Sequence, residues 1–117
     1  MRYIVARYKE QEMDAHITKV YVPMTETGFY ILLCLLEPLH GYAIVQKVDT
    51  LTKGAVRIGP GTLYGSLSKM EKDSLIRFVD EQEKRKIYQI TDLGKEVLAL
   101  EKLRIERMYQ NVMEVGL

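Results

Sequence analysis

Hydrophobic residues in this chain fall into blocks, and their spacing changes from block to block. Residues 29–36 form an unbroken apolar run. Thr25 before it is an N-cap by type, and Glu37-Pro38 closes it because proline cannot continue a helix. The pattern predicts a buried helix over 26–37. After His40-Gly41, the residues Tyr42, Ile44, Val45, Val48 and Leu51 recur at three- and four-residue spacing up to a stop at Lys53-Gly54, which predicts a second, amphipathic helix. Gly59-Pro60 opens a third helix over 60–73, with proline in the first turn where its missing N–H costs nothing. Its buried stripe is Leu63, Leu67 and Met70. Two short apolar segments, 75–79 and 87–90, flank the polar run 80–86 and predict a β-hairpin with a charged tip. Thr91 then caps a last helix that runs to about Glu114, with Asp92 in its first turn and Gly94 a minor weakness. Ahead of these elements, residues 1–20 suit an amphipathic helix through Ile4, Val5 and Tyr8, while Met13, Ile17 and Val20 fit it less regularly.

Helix, helix, helix, hairpin, helix is the order of a winged helix-turn-helix with one appended helix. The expected fold class is α+β, mainly α with a small β-hairpin. Its expected parts are an N-terminal extension over 1–22 at a dimer interface, a DNA-binding unit over 23–91 and a C-terminal dimerisation helix over 92–117. A length of 117 residues suits one domain with a real core, and 47% hydrophobic with 28% charged residues excludes a disordered or low-complexity chain. The lone Cys34 makes no internal disulfide, so a reducing cytoplasm is the expected compartment. No apolar run reaches the roughly 18–20 residues of a membrane span, and Arg2, Arg7 and Lys9 lead into acids rather than a secretory apolar stretch.

Net charge is +1, from 17 Lys and Arg against 16 Asp and Glu, so a polyanionic partner has to be argued from local distribution. On the third helix, at 100° per residue, Gly61, Gly65, Ser68 and Lys72 fall within roughly 40° of the side opposite Leu63. Lys69, Thr62 and Tyr64 border that face, and Glu71 and Asp73 stand at its sides. A small, hydroxylated and basic face suits phosphates and base edges; the plain alternative is a solvated surface. The two glycines weigh against the alternative, because each costs a helix roughly 1 kcal/mol relative to Ala and is best understood where another backbone comes close. Thr62, Tyr64, Ser68 and Lys69 are therefore expected at or near base edges. Lys72, Lys84, Arg85 and Lys86 are expected on phosphates.

The last helix carries two apolar stripes, Leu93, Val97, Leu100 and Leu103 in one, and Leu98, Ile105, Met108, Val112 and Val115 in the other. One small domain does not bury both, so a second copy is expected against Leu98, Ile105, Met108, Tyr109, Val112 and Val115. Tyr3, Tyr8 and Tyr109 are candidates to line a small-molecule effector cavity there, with ordinary tyrosine packing the simpler reading.

These residues resemble the PadR family of transcriptional regulators. His40-Gly41-Tyr42-Ala43-Ile44 is similar to the family's motif at the start of its second helix. Gly61-Thr62-Leu63-Tyr64, with Leu67, Met70-Glu71 and Leu75-Ile76, resembles its recognition helix and the turn into the wing. Lys84-Arg85-Lys86, with Tyr88, Ile90-Thr91 and Gly94, resembles its wing and the entry to the last helix. Pro23-Met24-Thr25-Glu26 also fits, so the resemblance covers about residues 23–95. It implies a dimeric DNA-binding repressor of the small subfamily with one C-terminal dimerisation helix. Gly65 stands where many relatives carry proline, Ser74 where glycine is usual, and the wing lacks the common glycines.

No enzyme is expected. Cys34 lies within the apolar helix as a structural cysteine, and His16 and His40 stand apart without a third ligand, so no metal and no cofactor are expected. The competing reading is a winged-helix protein-interaction module without DNA binding, which the near-neutral charge favours and the basic helix face opposes.

Overall fold

The computed structural model describes residues 15–117. In order, these form α1 (Ala15–Tyr21), α2 (Glu26–Cys34), β1 (Leu39–His40), α3 (Gly41–Thr52), α4 (Pro60–Lys72), β2 (Ile76–Gln82), β3 (Arg85–Ile90) and α5 (Asp92–Glu114). The strands make one antiparallel sheet in the order β1-β3-β2. This is a winged helix with a long helix appended. Most of the helix expected over 1–20 lies outside the described residues; its end is helical as α1 and buries Ile17 and Tyr21.

The helix starts follow their caps. Thr25 Oγ1 accepts from Gly28 N–H at 3.0 Å and Thr91 Oγ1 from Gly94 N–H at 3.1 Å, each satisfying a first-turn donor. At the far end of α3, Lys53 and Gly54 take left-handed φ values of 52° and 82°, the expected stop.

Two boundaries depart from expectation. Helix α2 ends at Cys34 rather than at residue 37, with Leu35 and Leu36 closing on Leu32 and Leu33 carbonyls. Pro38 disfavours helical backbone before it, and Leu39 and His40 instead pair with Tyr88 and Ile87. The wing also runs further than its apolar ends suggest. Its strands take in residues 80–82 and 85–86, with Glu81 opposite Lys86 and Gln82 opposite Arg85, leaving only Glu83 and Lys84 at the tip. Both have positive φ, 52° and 64°, as a two-residue hairpin turn requires. The opposite charges of Glu81 and Lys86 help make a polar ladder tolerable there.

The core gathers Ile31, Leu32 and Leu35, Ile44 and Val48, Leu63, Leu67 and Met70, Leu75, Ile76 and Ile90, and Val97. Each fully buried side chain of this size contributes about 1.5–3 kcal/mol. Thr91 joins wing to α5: its N–H donates to the Leu75 carbonyl and its hydroxyl to the Ser74 carbonyl. Gly94, expected to be a minor weakness, is instead the point of closest approach. A Cβ there would stand 2.2 Å from the Leu75 carbonyl oxygen and 2.6 Å from Ile90 Cγ1. Gly94→Ala is expected to destabilise the chain by about 3 kcal/mol, the upper end for an overpacked site, because backbone must move. Urea unfolding checks this, and an unchanged midpoint would contradict it.

Candidate nucleic-acid interface

Helix α4 turns Leu63, Leu67 and Met70 inward and leaves Gly61, Thr62, Tyr64, Gly65, Ser68, Lys69 and Lys72 exposed. The amphipathic reading of this helix therefore matches the observed burial. Nothing lies within 4 Å of a Cβ placed on Gly61 or Gly65, so this stretch of helix is bare backbone facing outward.

Beside it, α4, the start of α3 and the wing enclose a cleft of about 410 Å³, lined among others by His40, Tyr42, Tyr64, Ser68, Arg85 and Tyr88. Lys84 and Lys86 complete its basic rim, and no carboxylate is among its lining residues. The wing acids Asp80 and Glu81 lie on β2, while Arg85 and Lys86 begin β3 and line the cleft. Asp80 is further occupied by the Glu81 N–H at 2.7 Å and the Gln82 amide at 3.2 Å. Near-zero net charge and a basic cleft are thus compatible.

The cleft brings together five of the expected contact residues, Tyr64 and Ser68 with Lys84, Arg85 and Lys86. Thr62 and Lys72 are exposed on α4 but do not line it. Lys69 points elsewhere. Its ammonium lies 5.8 Å from the Tyr21 ring centroid, beside a smaller hollow between α1, α2 and α4. Tyr21 in turn donates to Asp73 Oδ2 at 2.7 Å, with His16 Nε2 3.4 Å from the other oxygen. Burial, then the bond and charge of Asp73, push the Tyr21 phenol well above its ordinary pKa. Together these contacts hold the C-terminal end of α4 against α1.

The cleft also takes in residues not expected as contacts, His40 and Tyr42 among them. His40 caps α3, its Nδ1 accepting from Ala43 N–H at 3.2 Å, and Tyr42 lies under the Arg85 guanidinium at 5.7 Å. The readable signal was a histidine placed directly before a helix start, at the position where Ser, Thr, Asp or Asn usually caps. Cys34 is buried, and burial pushes its thiol upward, as a structural cysteine requires.

Helix α5 divides along its axis rather than around its circumference. Up to Glu101 it packs on its own domain: Val97 is buried, while Leu93, Leu98 and Leu100 lie half-buried against the core. Beyond Arg104 every side chain is exposed. Leu103, expected to serve the chain's own core, is therefore exposed with Ile105, Met108, Tyr109, Val112 and Val115. The helix simply outreaches the domain beneath it. Of the residues expected at an effector cavity, Tyr109 is exposed, and Tyr3 and Tyr8 lie outside the described residues.

Among the described residues no helix is long and apolar enough to cross a membrane. Residues 31–100 match the family model described as the transcriptional regulator PadR-like family. The chain is 35% identical over 92 residues to an uncharacterised 37.1 kDa transposon protein of Streptomyces fradiae, covering 77% of this chain but only 26% of that one. It is 30% identical over 79 residues to the transcriptional regulator Rv3488 of Mycobacterium tuberculosis, covering 64% of this chain and 70% of that one. A PadR family regulator from Eggerthella lenta superposes with a TM-score of 0.62 at 27% identity, over 75% of this chain and 79% of the other. The family model spans more than half of the chain and the fold is shared with a PadR family regulator, and this chain belongs to the PadR-like family of transcriptional regulators, which are not enzymes.

Proposed function

We propose that the protein is a homodimeric, sequence-specific DNA-binding repressor that sets α4 of each subunit into the major groove of one half-site. The observation that carries this reading is the convergence of an outward, acid-free helix face with a basic wing edge on one cleft. Thr62, Tyr64 and Ser68 meet or border base edges, and Lys72, Lys84, Arg85 and Lys86 hold phosphates. Lys69 reaches DNA only by leaving Tyr21. The exposed end of α5 pairs with its copy through Ile105, Met108, Tyr109, Val112 and Val115, with Leu98 at the border of that contact. Ligand response belongs to the same reading: an effector seated beside Tyr109 between the two copies would change the spacing of the two recognition helices. A double-stranded operator and a cytoplasmic location follow.

Fluorescence anisotropy with a labelled duplex tests the reading residue by residue. Arg85→Ala and Lys72→Ala are expected to weaken random and selected duplexes by similar factors and to lower the salt slope by about 1 each, as loss of one phosphate contact does. Ser68→Ala is expected instead to narrow the gap between the two duplexes. Unchanged affinity and slope for Arg85→Ala would remove the wing from the interface. The competing reading, a protein-interaction module, requires that no duplex binds even at low salt.

A further inference from the structure

The cleft beside α4 gathers side-chain hydrogen-bond donors at its mouth. His40 Nδ1 accepts the Ala43 N–H at 3.2 Å, so the ring proton of the neutral imidazole sits on Nε2. Arg85 Nη1 stands 3.4 Å from that Nε2, and a guanidinium only donates. With that tautomer both groups present donors to the mouth of the cleft. The Arg85 guanidinium carbon lies 5.7 Å over the Tyr42 ring centroid, a cation–π contact that holds the side chain beside the cleft. Tyr64 closes the other side: its hydroxyl and Cε1 lie 3.3 Å from where a Cβ on Gly41 would stand, so any larger residue there would press on the ring. Lys84 and Lys86 flank the opening, and the lining residues include no carboxylate.

We propose that this cleft is a cradle for one backbone phosphate of the bound duplex, gripped by His40 Nε2–H, the Arg85 guanidinium and the hydroxyls of Tyr42 and Tyr64. It rests on the DNA-binding reading, adds His40 and Tyr42 to the interface, and moves Tyr64 from the base edges onto the phosphate. An oxyanion offers one acceptor to both donors in place of water, and a bond to a charged partner is the strongest use of each. Tyr64 becomes a positioning residue that sets the register of α4 on the duplex, so base readout falls to Thr62, Ser68 and the bare backbone at Gly65.

The test uses His40→Asn and Tyr42→Phe in the full chain. Asparagine retains a side-chain oxygen to cap α3 and removes the donor at Nε2; phenylalanine retains the ring under Arg85 and removes only the hydroxyl. Each is expected to weaken selected and random duplexes alike, by about tenfold, because a hydrogen bond to a charged group is lost. The salt slope should stay as in the parent chain, since neutral donors release no counterion, and this separates them from Arg85→Ala. A single neutral methylphosphonate at one position per half-site should penalise the parent chain more than His40→Asn, which has already lost one of the contacts to that phosphate. Thermal melts that match the parent confirm that the caps survive. Parent-like duplex affinity in both variants overturns the cradle and leaves DNA binding standing. Loss of competition by inorganic phosphate, with duplex affinity untouched, also overturns it, because the site would then take free phosphate. A parent chain that binds no duplex overturns the DNA-binding reading and the cradle together.

Discussion

Ile105→Lys combined with Met108→Lys is expected to yield a folded monomer that has lost operator affinity by a factor on the order of 10²–10⁴. Both positions lie on the part of α5 that projects past the domain, where nothing of the same chain covers them. Folding of the subunit should therefore survive. In the dimer each substitution removes apolar burial worth up to about 1.5–3 kcal/mol and places an ammonium where it must be desolvated. Two-fold symmetry applies both losses twice. A two-half-site operator is gripped by both recognition helices at once, so monomers forfeit the effective-concentration gain of linked binding while α4 itself is unchanged. Sedimentation and anisotropy on the double variant measure the two effects separately. A dimer of unaltered mass with full operator affinity would contradict the proposed pairing.

The second large effect is expected at Glu101, which is fully buried on α5. Its Oε1 accepts the Met24 N–H at 2.5 Å, just ahead of α2, and its two oxygens take Arg104 Nε at 2.6 Å and Nη2 at 3.1 Å. This is the polar joint between α5 and the start of the helix-turn-helix, and the carboxylate bond raises the Arg104 pKa. Glu101→Ala leaves the Met24 donor without an acceptor and a hole in the packing. Arg104, its side chain 24% exposed, is free to turn to water, which limits the loss. The expected cost is about 2–4 kcal/mol, below the full penalty of stranding a buried charge. Glu101→Gln retains an oxygen for Met24 N–H and should lose less than half as much. Urea unfolding at a fixed protomer concentration compares the two, since dimerisation makes the midpoint concentration-dependent. Equal losses in the two variants would show that the Met24 bond contributes nothing.

What the chain discloses before folding is local. The caps at Thr25 and Thr91, the proline opening α4 and the stripe Leu63, Leu67 and Met70 each act within one turn, and each stands as expected. Features made by distant segments were hidden. Strand β1 is two residues long and exists only because β3 is there to pair with it. Gly94 looks like a flaw in a helix until the Leu75 carbonyl arrives against it. Glu101 looks like any solvated acid on α5, although residues 77 positions earlier bury and bond it. The apolar stripes of α5 were separable by angle, yet burial divides them by distance along the axis, which depends on how far the domain beneath extends. On α4, wheel geometry set Tyr64 and Ser68 side by side and Lys69 on the opposite border of the face, and only folding shows that α1 packs against that border and takes Lys69.

The most direct measurement is selection of duplex fragments from a random pool by the purified protein, followed by sequencing and footprinting of what is retained. Binding by two copies of α4 should enrich a pseudo-palindrome whose half-site centres lie about one helical turn apart, or a whole multiple of it, as two-fold helix-turn-helix dimers impose. Retention should fall steeply as salt rises. A retained pool with no enriched sequence, or with a single unpaired half-site, would contradict a dimeric sequence-specific regulator; no retention at low salt would contradict DNA binding itself.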